Sequence, residues 1–172
     1  LFKGDKIGVV VSAMGKTTNA LELIVHALYH REKSKFDELV TELKSFHVEI
    51  ISALFIDSSN TIFSEVTTEF EHLSRMYDAR IPDNYNYEYD QIVSLGEVIS
   101  TKIVSAYLNE CNILSAWADA RLLIRTNNKY REGEVDWNKT EELFNENFNP
   151  AFASCDVQVI QGFIGHTSEG LT

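Results

Sequence analysis

An α/β sandwich with a mostly parallel sheet, beside a helical subregion, is the fold class this sequence predicts. Three observations carry it. Ile7-Gly8-Val9-Val10-Val11 and Val157-Gln158-Val159-Ile160 are short runs rich in β-branched residues, the pattern of strands in a parallel sheet. Between them, apolar residues recur at helical spacing over long stretches, so strands alternate with helices. The helix-rich stretch from 17 to 75 is too long for a minimal β-α-β connection, which sets a helical subregion beside the sheet.

The elements follow in order. The run 7–11 reads as a strand buried on both faces, and Ser12 to Lys16 as a small-residue loop. A helix starts near Thr17 or Thr18, where a hydroxyl can cap it, and runs through Leu21, Leu23, Ile24 and Leu28. A second starts at about Phe36 and carries Leu39, Val40, Leu43, Ile50, Ile51 and Leu54 at three- and four-residue spacing. Asp57-Ser58-Ser59-Asn60 is a turn and cap, followed by a helix with Ile62, Phe63, Val66, Phe70 and Leu73. Residues 78–90, with Pro82 and three tyrosines, read as a loop. Helical spacing resumes at Tyr89 and continues through Ile92, Leu95, Ile99, Ile103 and Ala106. Asn112 to Ala118 and Leu122 to Ile124 are candidate short strands, Asp136 to Glu146 a polar surface helix, and 157–160 the last strand.

Composition narrows the function. The chain has 172 residues and a net charge of -11, with 44% hydrophobic residues, an ordinary globular balance. So acidic a domain lacks the clustered Lys and Arg that phosphate backbones require, which argues against nucleic acid, and it suits an anionic membrane poorly. No run of 18 apolar residues exists, and Ile7 to Val11 is too short for a signal peptide. Cys111 and Cys155 are too few and too far apart for a disulfide framework and fit a reducing compartment. Asn138-Lys139-Thr140 matches a glycosylation sequon and is read as chance. The chain starts at Leu1 and ends at Thr172 in a turn-like sequence, so both ends read as cuts.

Candidate chemistry gathers at three places. Gly15-Lys16-Thr17 invites a P-loop reading, but the glycine that motif needs five positions earlier is Val10. Ser12, Ala13 and Gly15 instead form a small-residue loop at a strand's carboxyl end, where hydroxyls and amides can meet an anion. Gln161-Gly162-Phe163-Ile164-Gly165 is a second such loop. If the two strands are parallel, both loops open on one sheet edge, and ligands of open α/β sheets bind there. Ser94, Glu97 and Thr101 share one side of a helix. That side reads first as a solvated polar face; the alternative is a carboxylate placed to receive an ammonium group. Gly96, next to Glu97, sits inside a helix and so wants a packing or binding reason. Arg121 and Arg125 read as partners of surface ion pairs with Asp119 or neighbouring acids. The five histidines form no metal-ligand pattern.

Four segments in this order resemble the aspartate kinase family of the amino-acid-kinase fold. They are Val10-Val11-Ser12-Ala13-Met14-Gly15-Lys16-Thr17-Thr18-Asn19, Ser94-Leu95-Gly96-Glu97-Val98-Ile99-Ser100, Asp119-Ala120-Arg121 with Ile124-Arg125-Thr126-Asn127, and Val159-Ile160-Gln161-Gly162-Phe163-Ile164-Gly165 with Gly170-Leu171-Thr172. The resemblance implies a three-layer sandwich, incomplete here, with residues 1–172 forming part of a catalytic domain. It implies that Ser12 and Thr18 hold the β-carboxylate of L-aspartate, Glu97 pairs with its α-ammonium, and Phe163 lines the pocket. It assigns no catalytic residue and no metal ligand to this chain. ATP and Mg2+ would serve the parent enzyme, which would act in the cytoplasm in amino-acid biosynthesis toward lysine and threonine, as a homo-oligomer at full length. The alternatives are a glutamate or N-acetylglutamate kinase of the same fold, or a non-catalytic binding module. Two departures bear on activity. Phe2-Lys3-Gly4-Asp5 does not match the family's Lys-Phe-Gly-Gly-Thr-Ser strand, and its Gly-Arg-Gly-Gly-Ser-Asp loop, nucleotide segment and regulatory domains are not in this sequence. The expectation is an isolated chain without activity.

Overall fold

A computed structural model describes residues 4–172. Leu1, Phe2 and Lys3, which enter the readings of the chain's start and of its opening motif, lie outside the described residues. The chain forms two compact units, one from Leu1–Ser12 with Ser100–Thr172, the other from Ala13–Ile99.

The first unit holds the sheet. Strands β1 (Ile7–Val11), β2 (Ser115–Ala118) and β3 (Val157–Gln161) are all parallel, in the order β1-β3-β2, with Val9 and Trp117 both level with Val159. The central strand β3 is buried along its whole length, and its two glutamines, Gln158 and Gln161, are buried with hydrogen-bond partners. Side chains of successive residues leave opposite faces. On one face Gln161 and Trp117 both donate to Thr101 Oγ1, at 2.7 and 2.9 Å. Thr101 belongs to a long helix, Leu95–Glu110, whose later turns lie in this unit. On the other face Gln158 donates to the Phe148 carbonyl at 2.7 Å, and Gly8 leaves room for the Phe148 ring. Phe148 ends a π-helical turn, Phe144–Phe148, that continues the helix Trp137–Leu143. Helical segments therefore cover both faces of a parallel sheet, the expected three layers.

Strand β1 departs from expectation. It is not buried on both faces: its residues alternate between half-buried and exposed, and Val10 is 69% exposed. A position at the sheet edge, with β3 on one side only, accounts for the difference. Leu122 to Ile124 is not a strand either. Asp119 accepts from the Arg121 amide and caps a 3-10 turn, Ala120–Leu122, followed by isolated bridges at Arg125 and Thr126. The polar helix near 136 forms, capped by Asp136. Thr140 of the sequon is buried in it, with its hydroxyl on the Arg125 amide. Both cysteines are free thiols.

The second unit is helical: α1 (Thr17–Tyr29), α2 (Lys33–Leu54), α3 (Thr61–Ala79), α4 (Tyr85–Val93) and the start of α5 (Leu95–Glu110). Helix α1 packs on α2 and α4, and α2 on α3. Leu21, Ile24, Phe36, Ile51, Val66 and Phe70 are inaccessible or nearly so, as their spacing predicts, while Leu23 faces out. Asn60 caps α3 through the Ile62 amide, as its turn sequence predicts. Two local readings are corrected. No hydroxyl caps α1, because the cap position is Lys16 and Thr17 is already helical. The tyrosine stretch is helix, not loop: Asn84 accepts from the Asn86 and Tyr87 amides and starts α4 at Tyr85, and Ser94 separates α4 from α5. Among the described residues no helix is long and apolar enough to cross a membrane.

Candidate functional site

The candidate residues divide between the units. Ser12 and Phe163 belong to the sheet unit, and Thr18 and Glu97 to the helical one.

In the sheet unit, Val11 is level with Gln161, so the chains leaving β1 and β3 emerge together at the carboxyl edge. A Cβ on Gly162 would stand 3.2 Å from Val10 and 4.0 Å from the Ser12 hydroxyl oxygen, so the two loops meet there as expected. Ser12 is exposed, and its carbonyl accepts from the Ser100 hydroxyl at 2.7 Å. Phe163 is 98% exposed and has φ of 61°, a backbone region that a bulky residue rarely enters. The following residue, Ile164, is buried and anchors the turn. Gln161 is also tied on its other side, its carbonyl oxygen accepting from the Ala120 amide at 2.7 Å. The Asp119–Arg121 ion pair forms as expected, at 2.6 Å. Arg125 donates to the Thr167 carbonyl instead of joining an acid.

In the helical unit, the polar side of α5 is not solvated. Glu97 of α5 and Ser94, which lies just ahead of that helix rather than within it as the spacing predicts, are each 8% exposed. Burial pushes the Glu97 carboxyl above the usual carboxylate range, and hydrogen bonds from its own amide and from the Ala13 amide pull the other way. Gly96 has the packing reason its position demanded. A Cβ there would lie 3.0 Å from Ala13 and 3.1 Å from both Leu21 and Thr17. Close approach at Gly96 is what brings the loop ahead of α1 against α5, so that the Ala13 N–H reaches Glu97. Thr18, in the first turn of α1, is half-buried.

The sequence reading missed His47. This residue is fully buried on α2 and touches the same loop through Thr17 Oγ1, 3.4 Å from its Nε2. The signal was present: Leu43, His47 and Ile51 continue one buried stripe, and a histidine inside such a stripe needs partners. The Ala13 amide could not be found from side-chain chemistry at all. Among the described residues no group of three or more His, Cys, Asp or Glu side chains could hold a metal ion.

Helices on both faces of a parallel sheet, with hydroxyl- and glycine-bearing loops at its carboxyl edge, define an α/β protein of the class whose ligands bind at that edge. The chain belongs to the amino acid kinase family, whose sequence profile matches residues 1–171. Among curated proteins it is 27% identical over 164 residues to the lysine-sensitive aspartokinase 3 of Escherichia coli K12, covering 95% of this chain and 35% of that protein. It is 31% identical over 117 residues to the bifunctional aspartokinase/homoserine dehydrogenase 2 of the same organism, covering 67% of this chain and 14% of that protein. Among solved structures, E. coli aspartokinase III in complex with aspartate and ADP superposes with a TM-score of 0.85 at 26% identity, over 96% of this chain and 36% of that one. The chain thus spans about a third or less of the length of these relatives.

Proposed function

We propose that this chain forms the amino-acid-binding part of an aspartate kinase, which transfers the γ-phosphoryl group of ATP to the β-carboxylate of L-aspartate. The observation that carries the reading is Glu97: a carboxylate drawn out of solvent beside Gly96 and held by the amide of the loop ahead of Thr18. A buried carboxylate is costly unless it meets donors, and a substrate ammonium is a donor of matching charge. Within the helical unit Thr18 offers a hydroxyl for the β-carboxylate; within the sheet unit Ser12 and Phe163 stand at the carboxyl edge, where folds of this class take their ligands. The strained backbone under a fully exposed Phe163 supports its role, because such strain concentrates at functional turns.

The β-carboxylate is ionised near neutral pH, so its attack needs no general base. One of its oxygens bonds to the γ-phosphorus as the bond to the bridging oxygen breaks, leaving 4-phospho-L-aspartate and ADP. This chemistry depends on positioning and on stabilising the charge of the transferring group. The residues here position the nucleophile. On this proposal the isolated 172-residue chain is inactive and the full-length protein is a cytoplasmic homo-oligomer, as the family resemblance implies.

The test is ADP release by the full-length protein with ATP, magnesium and L-aspartate, alongside the isolated chain. Aspartate-dependent release is expected from the former only, with Glu97→Ala raising the aspartate KM. No release from the full-length protein, or an unchanged KM, would overturn the proposal.

A further inference from the structure

The loop ahead of α1 and the first turn of that helix, which carries Thr18, are held from two sides within the helical unit. On one side stand Gly96 and Glu97 of α5. On the other stand two consecutive residues of α2. A Cβ on Gly15, whose φ is 55°, would be 3.3 Å from the Phe46 ring. Beside it, His47 meets Thr17. Helix α2 lies far from this loop in sequence, and none of its residues belongs to the proposed substrate contacts.

The hydrogen bonds fix the state of His47. Its Nδ1 is 2.9 Å from the Leu43 carbonyl, which can only accept, so Nδ1 carries the proton. Nε2 of the neutral ring is then an acceptor, and the Thr17 hydroxyl donates to it. Burial keeps the ring neutral by lowering its proton affinity. Thr17 is 1% exposed, and each part of it has a separate contact. Its amide donates to the Met14 carbonyl at 3.1 Å, its methyl group faces Gly96, and its hydroxyl faces His47. The side chain of Thr17 thereby has one orientation, and the adjacent Thr18 begins α1 from a fixed point.

Resting on the proposed substrate site, we infer that His47 is a positioning residue for it: by accepting the Thr17 hydroxyl proton, it sets the first turn of α1 and so the place of the Thr18 hydroxyl against the substrate carboxylate. It touches no substrate. Its effect is confined to the amino acid, because the loop it holds carries no proposed nucleotide contact.

The experiment is steady-state kinetics of the full-length enzyme with six variants. A glutamine at 47 puts an acceptor oxygen near the place of Nε2 and keeps the bond to Thr17. An asparagine keeps only the donor near Nδ1 and loses that bond. His47→Asn and Thr17→Val are each expected to raise the aspartate KM roughly 3- to 10-fold, the scale of one lost buried hydrogen bond, with the ATP KM and kcat changed less than about twofold. The double variant should be no worse than the larger single effect, since both remove one bond. His47→Gln should stay within about twofold of the native KM. The inference is overturned if His47→Asn leaves the aspartate KM unchanged, if the ATP KM rises by the same factor, or if the two effects multiply. Should His47→Asn fail to fold, the near-isosteric Thr17→Val decides alone, and an unchanged aspartate KM there overturns it. Thr18→Val and Glu97→Ala separate the two levels. If they leave the aspartate KM unchanged, the substrate site itself is wrong. If they raise it while the Thr17 and His47 variants do not, only the role of His47 fails.

Discussion

Replacing Gly96 by alanine sets two opposed effects against each other, and the structure decides between them. In an exposed helix the change is favourable by about 1 kcal/mol, because alanine restricts the unfolded chain and suits helical backbone. Here the new methyl group would meet Ala13 at 3.0 Å and Leu21 and Thr17 at 3.1 Å, all closer than ordinary van der Waals contact. Leu21 is fully buried and has nowhere to turn, and the Ala13 Cβ is attached directly to loop backbone. Overpacking of this kind costs about 1–3 kcal/mol, and three contacts from two segments place it toward the upper end. The expected net result is a loss of about 1–2 kcal/mol, read as a lower urea midpoint with an unchanged slope in a circular-dichroism titration. The same displacement moves the Ala13 amide from Glu97, so aspartate binding should weaken as well. A Gly96→Ala protein stabilised by about 1 kcal/mol would refute the reasoning, because it would mean that α5 and the loop are not in close contact.

Other consequences follow from the same geometry. Gln161→Leu should cost about 2–3 kcal/mol in denaturant unfolding, since it strands the buried Ala120 amide and removes the Gln161 donor from Thr101; a change below about 0.5 kcal/mol would contradict the network. Phe163→Gly should stabilise the protein by about 1 kcal/mol, relieving a positive φ at no cost in packing, while raising the aspartate KM; a destabilised variant would show that the ring has a structural partner. Stability should depend on pH through buried groups of opposite sign, Glu97 and His47 among them. The Glu97 carboxyl has a raised affinity for its proton, so its contribution is greatest below the ordinary glutamate pKa of about 4.3 and is lost as pH rises through the folded value. The His47 ring has a lowered one, so its contribution is present above about pH 6.5 and is lost as pH falls toward the folded value. Glu97→Gln should weaken the first dependence, which the buried Glu88 carboxyl, also raised by burial, shares, and leave the second, as followed by thermal melts across the acidic range.

Much of this fold was legible in the residues, and the misses have physical causes. The runs 7–11 and 157–160 announced themselves because a parallel sheet selects β-branched residues. Their difference in burial did not, since strand order is a property of the whole fold and an edge strand can be as apolar as a central one. The tyrosine-rich helix α4 was hidden because aromatic residues are weak helix formers, and packing with the Asn84 cap outweighs that preference. At the candidate site, Gly96 and Glu97 stood out because a helical glycine needs a reason. Whether Glu97 faced solvent or the interior depended on what α5 packs against, which spacing cannot supply. His47 was overlooked because the histidines were weighed only as metal ligands, although its place in the buried stripe of α2 called for a hydrogen-bond partner.

The central claim is that Glu97 receives the α-ammonium group of the substrate. Titration calorimetry of the full-length enzyme with L-aspartate and with succinate, which lacks that group, tests it most directly. The native protein should prefer aspartate by roughly 10- to 100-fold, and Glu97→Gln should abolish the preference while leaving succinate binding unchanged. A Glu97→Gln protein that keeps the native preference, or weakens both ligands equally, would contradict the account.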